Sequence, residues 1–209
     1  MTTEFTPKGR VQSLDRVVQI LQCLAQCGAE MGVSEIANSV GLSKSTVHRL
    51  LSALEAHDFV RHAAGGKYRL GIRLFELGLR AVDEDGLLSC ARPRLTSLVS
   101  ATGETAHLGI LRAGEVLSVC GVESPRTLRT PSTVGRRTPA HASSLGKAIL
   151  AFRPEEELDL VAAAQGFPRY TRATLGDLES LRRDLERVRR CGYALANEEY
   201  DEGLKCVGA

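Results

Sequence analysis

Residues 43–54 carry polar and basic side chains at spacings that would place them on one face of a helix. At about 100° per residue, an inward aliphatic face leaves Ser45, Arg49 and Ser52 on the opposite side. Hydroxyl, imidazole, guanidinium and ammonium groups suit base edges and phosphates, and this segment has no acidic residue to repel them. The segment therefore predicts contact with duplex DNA. Its candidate contact residues are Ser43, Lys44, Ser45, Thr46, His48, Arg49 and Ser52.

Three predicted helices must position this face. We expect the first to have Ser13 as its N-cap, the short second to have Ser34, and the third to begin at Ser43 and run to about His57. Gly41 separates the second and third helices and permits a tight turn. Aliphatic residues recur three and four positions apart in each helix, which indicates a buried face. These residues are Leu14, Val17, Leu21, Leu24, Ile36, Ala37, Val40, Val47, Leu50, Leu51 and Leu54.

A basic hairpin follows the third helix. Residues 59–62 and 67–70 have the character of strands, and Gly65 and Gly66 supply the positive φ that a tight turn needs. Arg61, Lys67 and Arg69 make this hairpin basic, so we interpret it as a wing that contacts phosphates or the minor groove. A helix, a glycine turn, a capped helix and a basic hairpin together predict a winged helix-turn-helix, mostly α with a small β wing.

Charge and hydropathy limit the classes of protein that are possible. The 209 residues have a net charge of +2, and residues 1–80 hold ten Lys and Arg against seven Asp and Glu. No apolar run is long enough to cross a bilayer, and the first ten residues lack the apolar core of a signal peptide. We therefore expect a cytoplasmic protein. The six cysteines form no CxxC pair, so we expect free thiols, with Cys23 and Cys27 packed in a core.

The rest of the chain predicts a second, larger domain. We divide the chain into a mobile arm at 1–12, the DNA-binding domain at 13–71, a linker helix at 72–85 and a C-terminal domain at 86–209. Helical and strand-like runs alternate in this last part, with a hairpin around residues 112–115, which indicates an α+β sheet with helices packed against it. Pro93 lies inside a helical run, where we expect a kink or a helix start.

Several motifs resemble those of the IclR family of bacterial regulators, in the same order and over nearly the whole chain. The resemblance implies a GAF-like C-terminal domain that binds a small organic effector. It also implies a homodimer or tetramer that binds a palindromic, double-stranded operator. The motifs are Val11–Arg16, Ser43–Leu51, Tyr68–Gly71, Glu104–Leu108, Val122–Ser124, Gly135–Ala148, Gly192–Ala194, Glu198–Glu199 and Gly203–Val207.

The resemblance also implies where the effector binds. The pocket would be lined by the helix start near residues 142–146 and by the strand that holds Cys206, and the backbone N–H groups of Ser144 and Leu145 suit a carboxylate. Ala196 stands where some relatives have an acidic ligand contact. Relatives continue past the cysteine, so we expect this C-terminal domain to be truncated. The candidate effector residues are Ser143, Ser144, Leu145, Gly146, Glu199, Leu204 and Cys206.

Three other functions compete with this interpretation. Cys206, His107 and His141 could form a nucleophile and base, and His141, Cys206 and Glu198–Glu199 could hold a metal. The winged helix could instead contact only proteins. We favour a sequence-specific transcriptional regulator, a repressor of a metabolic operon that is controlled by a small molecule. We expect no enzymatic activity, no cofactor, no bound metal and no membrane association.

Overall fold

The computed structural model describes residues 11–83, 86–131 and 134–209, which fall into two compact units within residues 1–84 and 85–209. The predicted arm at residues 1–12 lies outside the described residues except for Val11 and Gln12, and Gln12 is the first residue of a helix. The acidic end of the predicted linker at residues 84 and 85 also lies outside them. Within the described residues, no helix is long and apolar enough to cross a membrane.

Three helices form the core of the N-terminal unit: α1 (Gln12–Cys27), α2 (Val33–Val40) and α3 (Lys44–Glu55). Gly41 ends α2 at a φ of 66°, which is the left-handed conformation that glycine adopts at little cost. The shared core contains the aliphatic residues predicted for α2 and α3. Its buried members are Ile20, Leu24, Met31, Ile36, Ala37, Val47, Leu51, Leu54, Val60 and Tyr68.

A three-stranded antiparallel sheet completes this unit. It contains β1 (Met31–Gly32), β2 (Val60–Ala63) and β3 (Lys67–Leu70) in the order β1-β3-β2. A 3-10 turn over Ala64–Gly66 joins β2 to β3, with positive φ at the last two residues as predicted. The hairpin places Arg61 directly opposite Arg69.

The starts of α1 and α2 differ from the prediction. The N-cap of α1 is Val11 rather than Ser13, and the inward face holds Ile20 while Leu14 is largely exposed. Ser34 does not cap α2, because the Glu35 carboxylate accepts the N–H of Gly32 at 2.6 Å and satisfies that terminus. Strand β1 was missed, since two residues have no periodicity of their own.

Helix α4 (Ile72–Val82) follows the wing and has no buried residue. Its apolar side chains are nevertheless large, and Ile72 and Phe75 are 62% and 65% exposed. Leu79 continues the same face at a spacing of four residues and is also exposed. An amphipathic helix normally buries such a face. The described residues of the same unit leave this apolar face of α4 exposed.

The C-terminal unit contains two antiparallel sheets rather than the single sheet that we predicted. Its helices are α5 (Leu87–Thr102), α6 (Ser144–Leu150), α7 (Glu155–Gln165) and α8 (Leu178–Cys191). One sheet has the order β4-β5-β6, and the other pairs β7 with β8. Helix α6 contacts strands of both sheets. The strands are β4 (Ala106–Arg112), β5 (Glu115–Val122), β6 (Arg137–Pro139), β7 (Ala194–Asn197) and β8 (Lys205–Gly208).

The core of this unit lies where α6, α7 and α8 meet the sheets. Leu181, Leu185 and Val188 recur on one side of α8 and are fully buried, and Gly192 ends that helix in the left-handed conformation. Pro93 lies inside a continuous α5, so it does not start the helix. The fold agrees with the prediction of a mostly α N-terminal domain and an α+β C-terminal domain.

Candidate functional site

The N-terminus of α3 is organised by hydroxyl groups. Ser43 is the N-cap as predicted, and its Oγ accepts the backbone N–H of Thr46 at 3.3 Å. The same oxygen lies 3.1 Å from Ser45 Oγ and 2.9 Å from Thr46 Oγ1. These contacts satisfy one of the free N–H groups of the first turn and hold three hydroxyls together at the helix end.

The predicted contact face of α3 points outward. Val47 and Leu51 are fully buried, and they anchor the opposite side of the helix in the core. Thr46 is half-buried, and Ser52 donates its hydroxyl to the carbonyl of His48 at 3.0 Å. The first turn of the helix contains no acidic residue. The exposed residues of this face are Ser43, Lys44, Ser45, His48, Arg49 and Ser52.

The wing adds three exposed cations beside α3, which contacts β2. Arg61 and Arg69 face each other across the hairpin, while Lys67 lies opposite Ala63 at the tip. Glu30 lies 3.6 Å from Arg69 and compensates part of this charge. Like charges directly opposite each other on a sheet repel. A bound anion such as a phosphate would reduce the repulsion between these two arginines.

The C-terminal unit contains a pocket with a volume of about 150 Å³. Six of the seven predicted effector residues line it, and Gly146 does not. Gly146 packs its Cα against the backbone of Ala140, where a Cβ would collide. The predicted residues that line the pocket are Ser143, Ser144, Leu145, Glu199, Leu204 and Cys206.

Other lining residues were missed by the sequence analysis. The strands β4 and β5 contribute His107 and Ser118, and the loop before β6 contributes Arg136, whose guanidinium carbon lies 5.6 Å from the centre of the Tyr200 ring. The alternation of side chains along β4 and β5 could have indicated their shared face, but not that α6 lies against it. The remaining unpredicted lining residues are Val116, Thr130, Thr138, Ala196, Tyr200 and Asp201, while Ala142 lies at the wall that the resemblance implied.

A buried ion network lies behind one wall of the pocket. Lys147 is 1% exposed, and its Nζ lies 2.7 Å and 2.9 Å from the two carboxylate oxygens of Glu199. The same ammonium donates to the carbonyl of Leu195 at 2.6 Å and lies 2.9 Å from Asp184. Burial would raise the pKa of Asp184, but hydrogen bonds from Lys147 and Arg187 outweigh it and hold that pKa below its usual value. The network joins α6, β7 and α8.

The candidate nucleophile and its bases are poorly arranged for catalysis. Burial, followed by the charge of Asp201, raises the pKa of the Cys206 thiol and disfavours the reactive thiolate. His107 lines the pocket, but His141 is buried elsewhere, with Nε2 at 3.2 Å from the carbonyl of Pro168. Burial lowers the pKa of both imidazoles. Across the part of the chain that the structure describes, no three His, Cys, Asp or Glu side chains form a metal-binding group.

Comparisons with known proteins agree with the two units. The family model for the IclR helix-turn-helix domain matches residues 13–64, and that for the bacterial transcriptional regulator IclR C-terminal region matches residues 79–209. The chain is 37% identical over 198 residues to the HTH-type transcriptional regulator XynR of Escherichia coli, which covers 94% of this chain and 79% of XynR. It is 33% identical over 204 residues to the transcriptional repressor IclR of Escherichia coli, covering 96% and 74% of the two chains.

Solved structures show the same architecture. An IclR homologue from Microbacterium hydrocarbonoxydans in complex with 4-hydroxybenzoate has a TM-score of 0.84 at 29% identity, and the match covers 93% of this chain and 81% of that one. The Thermotoga maritima IclR structure has a TM-score of 0.75 at 29% identity, with 95% and 80% covered.

Proposed function

The chain belongs to the IclR family of bacterial transcriptional regulators, and from this membership we propose that it is a dimeric repressor of a metabolic operon. It is a sequence-specific DNA-binding regulator that responds to a small-molecule effector. In this proposal, residues 13–71 bind a palindromic operator, residues 72–85 link the domains, and residues 86–209 bind the effector. Effector binding changes the affinity for the operator.

The observation that carries the proposal is the outward face of α3. Val47 and Leu51 fix the orientation of the helix in the core, so Ser45, His48 and Arg49 are free to enter a major groove. In this arrangement, Arg49 reads a base edge and Ser43 lies near a phosphate. Arginine is the side chain that most often makes specific base contacts, through its two parallel donors.

The wing supplies the contacts that position the protein on DNA. Arg61, Lys67 and Arg69 are exposed on a short, paired hairpin beside α3. Their charges suit phosphates, which fix the register of a protein on a duplex but carry no sequence information. We therefore assign base recognition to α3 and phosphate binding to the wing.

The apolar face of α4 supports the dimer in this proposal. Ile72, Phe75 and Leu79 lie on one side of the helix, and each is exposed within the unit. On α1, Leu14 and Val18 are also exposed. A second copy of the chain would cover these side chains, and a two-fold axis between two reading helices would match the symmetry of a palindromic operator.

The pocket of the C-terminal unit supports binding of a small organic acid. Ser143, Ser144, Leu145, Glu199, Leu204 and Cys206 form much of its wall, and Arg136 supplies a positive charge. The related protein from Microbacterium hydrocarbonoxydans was solved with 4-hydroxybenzoate, which is an acid of suitable size for a first probe. We propose that Gly146 contributes by holding this wall against Ala140 rather than by touching the effector.

The test is binding to duplex DNA from the region upstream of the protein's own gene. We expect fluorescence anisotropy to give an affinity that falls steeply with salt, because phosphate contacts release counterions. Footprinting should protect two half-sites related by a dyad. The proposal fails if the full chain shows no preference for any segment of this region over unrelated duplex DNA at low ionic strength.

A further inference from the structure

Arg69 differs from the other two cations of the wing because it has an acidic neighbour. Its guanidinium lies 3.6 Å from the carboxylate of Glu30, and both side chains are partly exposed. Among the described residues, Arg61 and Lys67 form no ion pair with a carboxylate. The three cations of the wing are therefore not equally available to a phosphate.

The position of Glu30 is fixed by the strand that follows it. Strand β1 pairs with β3 through Met31, which lies opposite Tyr68, and both of these side chains are buried. Continuing this antiparallel register by one residue places Glu30 beside Arg69, in agreement with the distance between their charged groups. Glu30 therefore meets Arg69 through strand pairing that the core holds in register.

Arg69 has a charged neighbour on each side. Its strand, β3, is the central one of the sheet, with β1 on one side and β2 on the other. Arg61 of β2 lies directly opposite Arg69, and side chains of directly opposite residues share a face of the sheet and interact. Attraction by Glu30 and repulsion by Arg61 therefore act in the same direction, and both favour the pairing of Arg69 with Glu30.

A phosphate that binds Arg69 must compete with this carboxylate. Carboxylates and phosphates are recognised through the same N–H donors of a guanidinium. An exposed ion pair changes an equilibrium constant by only about two- to fivefold, so Glu30 weakens the contact of Arg69 with DNA without abolishing it. Because phosphate contacts carry no sequence information, this competition acts on every duplex alike.

We propose that Glu30 restrains the wing: it binds Arg69 in place of a DNA phosphate and so determines how many phosphates the wing neutralises. Glu30 is a positioning residue, because it acts through Arg69 and not on the duplex itself. The restraint lowers the affinity for DNA outside the operator, which competes for the protein in large excess. This inference rests on the proposed binding of DNA by the wing.

Anisotropy titrations of the full chain with Glu30→Gln test the proposal on operator and unrelated duplexes. The slope of log affinity against log salt counts the phosphates that a protein neutralises. In Glu30→Gln, this slope should steepen by at least about 0.5, out of the roughly 0.9 expected for one whole phosphate. Both duplexes should also be bound about two- to fivefold more tightly at low salt.

Glu55→Gln is the matched control, because it removes the same charge next to the wing. Glu55 ends α3 and pairs with His62 at 3.4 Å, so it does not compete for an arginine of the hairpin. We expect the slope of this variant to equal that of the parent. Equal steepening in Glu30→Gln and Glu55→Gln would assign the effect to the loss of any nearby acid and would overturn the proposal.

The Arg69→Ala background shows whether Glu30 acts through Arg69. There, Glu30→Gln should no longer steepen the slope, and a steepening that persists overturns the proposal. The melting temperature of Glu30→Gln should stay close to that of the parent, since exposed pairs contribute little to stability. A lowered melting temperature with an unchanged slope would make Glu30 a structural residue only and overturn the proposal. A parent that binds no duplex at low ionic strength overturns the proposed function as well, whereas binding with equal slopes overturns this inference alone.

Discussion

The ammonium of Lys147 lies 2.7 Å from the carboxylate of Glu199, and both side chains are buried. Glu199 also lines the proposed effector pocket, and Lys147, which is not among the lining residues, neutralises its carboxylate from behind. The pocket wall therefore presents a fixed ion pair rather than a free negative charge. An anionic ligand would therefore not meet an unpaired carboxylate at Glu199, whereas Asp201 also lines the pocket and keeps its negative charge near Cys206.

Removing Lys147 should strongly destabilise the C-terminal unit. Lys147→Met leaves Glu199 and Asp184 without their shared cation, and breaking a buried pair on one side costs about 3–5 kcal/mol. Urea unfolding followed by circular dichroism measures the loss. Adding Glu199→Gln should restore part of it. The control is Arg183→Met, whose exposed pair with Glu179 contributes at most a few tenths of a kcal/mol; similar losses in both variants would contradict the assignment.

The Arg49→Ala and Lys67→Ala variants should affect DNA binding in two different ways. Arg49→Ala should cost on the order of 1–3 kcal/mol on the operator and relax preference at one position of each half-site. Lys67→Ala should weaken binding to all duplexes alike and reduce the slope of log affinity against log salt by about one. Anisotropy titrations on operator and unrelated DNA separate these effects. If both variants bind the operator like the parent, the assigned contacts are wrong.

Ser43 has a structural role that can be separated from DNA contact. Ser43→Ala removes the acceptor for the N–H of Thr46 and should lower the free energy of unfolding by about 1 kcal/mol. Ser39→Ala is the matched control, because Ser39 is exposed within α2 and does not cap a helix. Denaturant unfolding of the full chain compares them. Equal stabilities would show that the cap contributes nothing.

His141 should make stability depend on pH. Burial is the main reason that its pKa is lowered, with its bond to the Pro168 carbonyl acting in the opposite direction. The unfolded chain therefore binds a proton more readily, and stability should fall as the pH drops below the unfolded value of about 6.5 towards the lower folded value. His107 shifts in the same direction. Between pH 8 and 5, the free energy of unfolding of His141→Gln should depend less on pH than that of the parent. The same pH profile in both proteins would contradict this.

Gly146 should tolerate no side chain. In Gly146→Ala, the new Cβ collides with the backbone of Ala140, and overpacking of this kind costs about 1–3 kcal/mol. Gly78→Ala is a useful contrast, because Gly78 lies within α4 with open space around it and should gain stability by about 0.5–1 kcal/mol. Melting curves give both values. An unchanged melting temperature in Gly146→Ala would show that Gly146 does not have this packing role.

The parts of the fold that were predicted correctly are those whose signals are local. Ser43 caps α3, Gly41 ends α2, and Val47 and Leu51 face inward, because spacing and cap chemistry are contained within a few residues. The family, the two-domain fold and the regulatory function are confirmed by the comparisons. The individual DNA contacts remain predictions.

Features that depend on distant partners were missed. Strands β1 and β6 are two and three residues long and exist only through their pairing with β3 and β5. Lys147 would ordinarily be placed at the surface, and only the folded chain brings Glu199 and Asp184 to it. His107 and Ser118 were not predicted to line the pocket for the same reason, since the register of β4 and β5 was not predictable from either strand alone.

Arg61 and Arg69 lie opposite each other in the hairpin, and this pairing would give the wing two opposite responses to ionic strength. Added salt screens their mutual repulsion and so favours the closed hairpin in the free protein, while it weakens attraction to the duplex. In the free protein, the hairpin is therefore least stable at low ionic strength, where its affinity for DNA would be highest. In the proposed complex, a phosphate beside the two arginines would reduce the part of this repulsion that Glu30 does not compensate.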